Sequence, residues 1–417
     1  MYNLPARRDT KEAYGRMNSK HMVQDIGIQD LATTERNAEL HEQEYGVPPH
    51  ITVSAPGSVL LMGAYTEHSD GLVFGLPLEQ RMIVSIGRRT DNSLRFFAAD
   101  LNERKRTSVS ALKYKREDRW ANYLKGVVMQ LQRLGCPVRG LNLTVSGSVP
   151  SGIGLGSSAA MGVSCAVALK SVYDFKVSDM QLLQCARRAE QEYTGAETGL
   201  SAYLTSYFGE PGHAVYIDSR SLEYSLVPVS FEDAFFVVTN PHVQNCFSEE
   251  DEANRRDDCR RCVEKLHGTH GGYALRDYGV DDVEQGLGIM SEDVRRRCLH
   301  VVNEMQRVRE ALPAIRAQDK VDLGKMMVRS HNSLRDLYEV SYPELDWLVK
   351  RSCEISGIHG AKLAGSSTGC CVVTLIEQSS LESYSEKLEE YERIFGFPGD
   401  YFVLNLPAAS RLEIRVP

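Results

Sequence analysis

The most chemically telling stretch of this sequence is Val149-Pro-Ser-Gly-Ile-Gly-Leu-Gly-Ser-Ser-Ala-Ala160. Gly152, Gly154 and Gly156 recur at alternate positions, so the backbone there can turn its N–H groups inward and come close to a ligand. Ser157 and Ser158 then open a run of small and apolar residues, and a helix starting at that point would offer its partial positive charge to an anion. Phosphate binding is the chemistry this favours; a simple tight turn is the plainer alternative. No Gly-Lys-Ser/Thr follows, which excludes a Walker loop, and the glycine spacing is not that of the dinucleotide fingerprint. A second cluster, Cys259-Arg-Arg-Cys262 with His267 and His270, has metal-ligating residue types. Its Cys-to-His gap is far shorter than in finger motifs and it sits in a charged helical run, so a structural role is expected.

The elements that must position the glycine loop are a strand before it and a helix after it. Leu141, Leu143 and Val145 alternate with Asn142, Thr144 and Ser146, the pattern of a half-buried strand over Leu141 to Val149. Ser157 to Tyr173, interrupted only by Gly162, predicts a helix buried against close neighbours, and Asp179 to Tyr193 predicts another that ends at Gly195. Trp120, Tyr123, Leu124, Val127, Val128, Leu131 and Leu134 share one side of a helix at spacings of three and four. Upstream, Thr33 to Tyr45 reads as helix and Ile51 to Ser54 as strand. Arg81 to Ile86 and Leu94 to Ala98, separated by Thr90-Asp91-Asn92, read as a hairpin.

Ala214 to Ile217 and Ala234 to Thr239 follow as strands. Helices are expected over Asp251 to Leu266, Asp293 to Leu312 and Lys320 to Asp336, then a strand at Val372 to Ile376. A helix carrying Leu381, Tyr384, Leu388, Tyr391 and Phe395 and a last strand near Leu412 to Val416 complete the pattern. The chain divides into an N-terminal extension, 1–45, and two lobes, 46–232 and 233–417. At 417 residues and 42% apolar composition it can build real cores, which excludes disorder.

A net charge of −8 argues against bulk affinity for nucleic acid, and the basic clusters at Arg255–Arg256, Arg260–Arg261 and Arg295 to Arg297 are interleaved with acids, as on a solvated helix face. The longest apolar stretch, Ala159 to Leu169, is far short of the ~20 residues that cross a bilayer. Met1 to Lys20 holds no apolar signal segment. A cytoplasmic protein with reduced thiols is expected, with no nucleic-acid or membrane partner; Cys165, Cys185 and Cys371 lie in apolar runs as small hydrophobes.

The glycine loop resembles the second motif of the GHMP kinase superfamily, and the rest of the chain is similar to galactokinases. Ala55-Pro-Gly-Ser-Val-Leu-Leu-Met-Gly-Ala-Tyr-Thr-Glu-His-Ser-Asp-Gly71 matches the first motif in frame, and Gly360-Ala-Lys-Leu-Ala-Gly-Ser-Ser-Thr-Gly-Cys-Cys371 the third. Trp120-Ala-Asn-Tyr-Leu-Lys-Gly126, His213 to Ser221 and Ser330-His-Asn-Ser-Leu-Arg-Asp336 fall between them in family order. The resemblance implies an α+β, two-lobed GHMP kinase fold with its active site in the interlobe cleft. It implies ATP along Pro150, Gly152, Gly154, Leu155, Gly156, Ser157, Ser158 and Ala159, with Trp120 and Tyr123 near the adenine. Mg²⁺ would be held by Ser158 and Glu190, hard oxygen ligands suited to sharing the ion with phosphate. Read as residues alone, Trp120 and Tyr123 equally suit a buried aromatic pair, and Glu190 a solvated helical carboxylate.

The acceptor side departs from the family. The family Arg and Asp credited with activating the sugar hydroxyl correspond to Ser58 and Ala202. Its Glu-His-Thr-Asp-Tyr becomes Ala64-Tyr65-Thr66-Glu67-His68, and Glu252 stands where a tyrosine precedes the Arg pair. The implied acceptor pocket is Ala64, Tyr65, Glu67, His68, Asp70, Gly199, Ala202, Glu252 and Gly365. Each polar partner lost costs about 1–3 kcal/mol, so galactose need not be the acceptor. The third motif carries Ser366, Ser367, Thr368 and Cys370 at positions the family gives to Gly, Gly, Phe and Gly. Two readings follow: an ATP-dependent phosphotransferase acting on a sugar or related small-molecule hydroxyl, or a non-catalytic sensor of nucleotide or small ligand. Glu67, His68, Asp70 and Glu197 are candidates for a substitute acceptor group. Glu67, Asp70, Glu197 and Glu252 together are expected to favour a neutral or cationic ligand.

Overall fold

The computed structural model describes residues 33–195, 198–243, 248–286, 288–366 and 369–416. The first lobe opens with helix α1 (Thr34–Tyr45), whose N-terminus is capped by the Thr33 side chain and whose C-terminus stops at Gly46 in the left-handed conformation. It continues through β1 (Ile51–Met62), β2 (Leu72–Arg88), β3 (Ser93–Ala98), β4 (Glu103–Ser108), α2 (Ala121–Arg133) and β5 (Leu141–Gly147). Then come α3 (Ser157–Tyr173), α4 (Asp179–Thr194), α5 (Ser201–Phe208), β6 (His213–Asp218) and β7 (Tyr224–Pro228). The second lobe comprises β8 (Ala234–Asn240), α6 (Glu249–His270), α7 (Val280–Gln285), α8 (Glu292–Arg316), α9 (Lys320–Asp336), α10 (Pro343–Ser352), β9 (Ile358–Ser366), β10 (Gly369–Glu377), α11 (Leu381–Phe395) and β11 (Asp400–Leu404). A last strand, β12 (Glu413–Arg415), returns to the first lobe and pairs with β1.

The architecture is mixed α+β with two sheets. The larger has eight strands in the order β12-β1-β2-β5-β3-β4, with β6 paired to β2 and β7 to β6; the smaller is β11-β8-β10-β9. One core cluster packs α2, α3 and α4 onto the large sheet through residues such as Leu124, Val127, Val163, Ala166 and Leu183. A second fills the helical lobe, and a third joins the lobes where Val59, Leu61 and Phe74 meet Phe236, Val308 and Val373. α3 is buried along most of its length because Ala, Gly and Ser let it lie close to α4, where a Cβ on Gly162 would come 3.3 Å from that of Ala186.

Two local expectations needed correction. β2 and β3 do not form a hairpin: β5 lies between them, antiparallel to β2 and parallel to β3. The Thr90-Asp91-Asn92 turn carries the chain over β5, and Gly140 fits beneath it, its N–H donating to the Asp91 carbonyl at 3.1 Å. β5 is buried on both faces rather than half-buried. Its polar face is covered by α1, where Asn37 Nδ2 donates to Ser146 Oγ at 2.7 Å and His41 Nδ1 meets Thr144 Oγ1 at 3.1 Å. Ser85 and Thr52 on β2 and β1 extend this buried polar seam.

Cys165, Cys185 and Cys371 are buried free thiols. Cys370 is disulfide-bonded, which departs from an all-thiol chain. Among the described residues no helix is long and apolar enough to cross a membrane.

Candidate active site

A cleft of about 1200 Å³ is bordered by the three motif segments, which meet almost backbone to backbone. Ser58 N–H donates to the Leu155 carbonyl at 3.0 Å. A Cβ on Gly156 would fall 2.6 Å from Ser58 Oγ, and one on Gly154 2.4 Å from the Gly365 Cα. Gly154 and Gly156 also hold φ of 78° and 65°, a left-handed conformation that only glycine adopts without strain. α3 begins directly after Gly156, so its first-turn N–H groups at Ser157, Ser158 and Ala159, all residues of the cleft wall, have no intrahelical partner and no side-chain cap among the described residues. α4, by contrast, starts with a complete capping box from Ser178 and Gln181. An uncapped helix start facing a cleft has the polarity that suits an anion.

Beside it, Ser158 Oγ donates to Glu190 Oε1 at 2.7 Å, and the Tyr203 hydroxyl donates to Glu190 Oε2. Burial, then the Glu190 charge, pushes the Tyr203 hydroxyl well above its ordinary range. Glu190 is therefore inside the cleft, not on a solvated helix face. Trp120 and Tyr123, each half-buried, line the cleft with Ala98, Asp100 and Leu101. Trp120 Nε1 donates to Glu103 Oε2 at 3.0 Å. Asp100 accepts the Gly147 N–H at 2.8 Å, and burial raises its carboxyl pKa.

On the acceptor side, Glu67 in the short turn Glu67–Ser69 accepts the Ser201 N–H at 2.8 Å and the Ser201 hydroxyl at 2.5 Å. Its carboxylate lies against Gly199, where a Cβ would come within 2.2 Å of it. Tyr65, Glu67, His68, Gly199, Ala202, Glu252 and Gly365 all reach the cleft wall. Tyr65 packs against Tyr338 with ring centroids 4.6 Å apart and planes tilted by 31°, and His68 reaches the Cys259 thiol. Three residues of the inferred set stand elsewhere. The Asp70 carboxylate accepts from Arg220 Nε at 3.2 Å and its carbonyl from Arg276 Nη1 at 2.9 Å. Ala64 is buried with its carbonyl on His300 Nε2 at 3.2 Å. Pro150 lies off the cleft wall at the entrance to the loop. Glu197, Ser367 and Thr368 lie outside the described residues.

Sequence reasoning missed Ser201, Arg187 and Arg256, which also line the cleft. Arg256 follows Glu252 by one helical turn and pairs with it at 3.5 Å, a spacing that was legible. Among the described residues the wall carries the carboxylates of Glu67, Asp100, Glu190 and Glu252 against the guanidinium groups of Arg187 and Arg256, the latter paired with Glu252, while Asp70 is turned away, so the acidic excess is smaller and differently composed than expected. Cys259 and Cys262 belong to the second-lobe core with Cys298, while His267 Nδ1 contacts the Gly272 carbonyl at 2.8 Å.

Behind the first motif, Glu304 is fully buried and accepts three bonds: Gly63 N–H at 3.0 Å, Ser330 Oγ at 2.8 Å and Arg307 Nε at 2.7 Å. Burial pushes its pKa up, but the Arg307 and Lys362 cations outweigh this and hold it at about 2. Burial lowers His300 to about 4, so it is neutral near pH 7. A carbonyl only accepts, so His300 Nε2 donates to Ala64 and Nδ1 accepts from Ser333 Oγ at 2.8 Å.

Comparison with known proteins gives the family and the fold. Residues 122–210 match the family model for the GHMP kinases N terminal domain, 39–88 the galactokinase galactose-binding signature, and 311–393 the GHMP kinases C terminal model. The chain is 34% identical over 354 residues to a galactokinase of Roseiflexus sp. (strain RS-1), covering 84% of this chain and 90% of that one. It is 35% identical over 368 residues to a galactokinase of Bos taurus, covering 87% and 92%. The crystal structure of Lactococcus lactis galactokinase complexed with galactose superposes with a TM-score of 0.84 at 23% identity, covering 90% of this chain and 98% of that one. Methanococcus jannaschii mevalonate kinase follows at 0.59 and 17%, covering 88% and 98%.

Proposed function

This chain belongs to the galactokinase family of the GHMP kinases, and we propose that it transfers the γ-phosphate of ATP to a hydroxyl of a sugar or a related small molecule. The observation that carries this is the backbone cradle where Ser58, Gly154, Gly156 and Gly365 meet at the uncapped start of α3. Its inward N–H groups suit a polyphosphate, and the cradle has no room for any side chain on Gly154. The donor set also fits a divalent ion: Ser158 Oγ and Glu190 would hold Mg²⁺ together with phosphate oxygens, and the ion would neutralise charge developing on the transferred group. Trp120 and Tyr123 supply an aromatic surface for the adenine. Phosphoryl transfer depends mainly on positioning and electrostatics, so the absence of the family Arg and Asp at Ser58 and Ala202 slows such a site without necessarily silencing it.

The relatives are galactokinases, one of them solved with galactose, and the first-motif turn of this chain faces the cleft. Its polar contacts are rewritten at Ala64, Tyr65, Glu67, His68 and Glu252, which supports an acceptor differing from galactose in its hydroxyl pattern. Ser58 and Ala202 together favour a second reading, a nucleotide or ligand sensor without turnover. A coupled ATPase assay over a panel of monosaccharides separates the two. Turnover on at least one sugar, reduced about 10-fold or more by Ser158→Ala and Glu190→Ala, is expected. No turnover on any sugar, with Mg·ATP binding intact by calorimetry, would establish the sensor instead.

A further inference from the structure

We propose that Glu67 takes the proton from the acceptor hydroxyl, acting from the first-lobe turn in place of the carboxylate missing at Ala202; this rests on the kinase reading above. Of the described carboxylates on the cleft wall, Glu190 stands beside the glycine loop on Ser158, where it is assigned to the metal, Glu252 is paired with Arg256, and Asp100 lies on Gly147 N–H beside the aromatic end. Glu67 is the one placed at the start of α5. Both of its oxygens receive a donor from Ser201, the residue directly before Ala202. Each carboxylate oxygen has two lone pairs, so one donor apiece fixes the orientation and leaves acceptor capacity facing the cleft.

Three sequence features fit this single arrangement. Glu67 is one methylene longer than the aspartate it replaces, which gives it reach toward α5. Ala202 is small, so no second carboxylate crowds the first with its charge. Gly199 is required, because a Cβ there would lie 2.2–2.5 Å from the Glu67 carboxylate atoms. In the step itself the acceptor oxygen bonds to the γ-phosphorus while the bond from that phosphorus to the bridging oxygen breaks, its electron pair leaving on ADP. The hydroxyl proton passes to a Glu67 oxygen and from there to solvent. Ser201 is a positioning residue in this scheme.

The test uses the whole protein and the sugar it turns over best. Glu67→Gln is expected to lower kcat about 10²- to 10⁴-fold and to remove the acidic limb of the kcat–pH profile, with Mg·ATP affinity unchanged by calorimetry. Adding Ala202→Asp to Glu67→Gln is expected to restore kcat about 10-fold or more, since it returns a carboxylate to the same end of α5. Glu67→Asp, which keeps the charge but withdraws it, is expected to lower kcat more than it raises KM; it also serves should Glu67→Gln fold poorly. Wild-type turnover with Glu67→Gln within about 3-fold of it and an unaltered pH profile overturns the role of Glu67 alone. Absence of wild-type turnover on every sugar overturns the kinase reading and this inference with it.

Discussion

Along residues 150–159 the cleft wall is backbone: glycines packed on Ser58 and Gly365, and helix N–H groups left uncapped. Around Glu67 the opposite wall is side chain: a carboxylate on Ser201, an imidazole against Cys259, and a turn hung on the buried carboxylate of Glu304. A backbone site depends chiefly on where glycines fall, with few side chains such as Ser158 and Glu190 beside it. A side-chain site is remade by each substitution. That difference fits the sequence reading, in which the glycine loop follows the family pattern and the departures fall at Ser58, Ala202 and Ala64 to His68.

The contrast makes the acceptor wall the more fragile. Of the single substitutions, Glu304→Ala is expected to have the largest effect on stability, about 3–5 kcal/mol, because it leaves the buried Lys362 and the neighbouring Arg307 without their carboxylate. Urea unfolding would measure it. An equal loss of stability with acceptor affinity unchanged would show that Glu304 does not support the first-motif turn.

Acid should act next. His300 and His41 both stand at about 4 against an ordinary 6.5, mainly through burial, so the unfolded chain binds more protons than the folded one between those values. The stability they contribute is present above pH 6.5 and lost as pH falls toward 4, at up to about 1.4 kcal/mol per unit for each histidine. Glu304, held at about 2 against 4.5, adds the same direction of loss below pH 4.5. Unfolding curves from pH 8 to pH 4 would record it, and a flat profile would contradict the buried neutral state of these histidines. Smallest, and confined to the other wall, is Gly154→Ala. Left-handed strain and the Gly365 contact together cost about 1–3 kcal/mol, so Mg·ATP affinity is expected to fall roughly 5- to 150-fold with acceptor binding kept. Equal losses on both sides of the cleft would dissolve the contrast.

What could be read from the sequence follows the same division. Glycine spacing and helical period are local, so the loop, α3 and α4 were legible to within a residue or so. Strand neighbours are not local: nothing between Arg81 and Ala98 says that β5 will enter from residue 141. Nor does the alternation in β5 reveal that α1 covers its polar face. α5 went unnoticed because eight residues, Ser-Ala-Tyr-Leu-Thr-Ser-Tyr-Phe, carry too little period to separate helix from strand. Glu304 was invisible as a site residue, since the Gly63 N–H it accepts lies 241 positions away.

The return of β12 to β1 carries a cost in time. β1 bears Ser58 and the first motif, and one of its edges stays unpaired until Glu413–Arg415 close on Thr52, Val53 and Ser54 and Glu413 meets Arg81. A ribosome delivering the chain from its N-terminus therefore holds an open β edge through the synthesis of both lobes. Such an edge is the natural point for pairing with another chain. Completion of the large sheet is thereby tied to the last described strand, so a chain stalled in the second lobe would carry the whole glycine loop and still present an open β1 edge at Thr52, Val53 and Ser54, just ahead of the first motif.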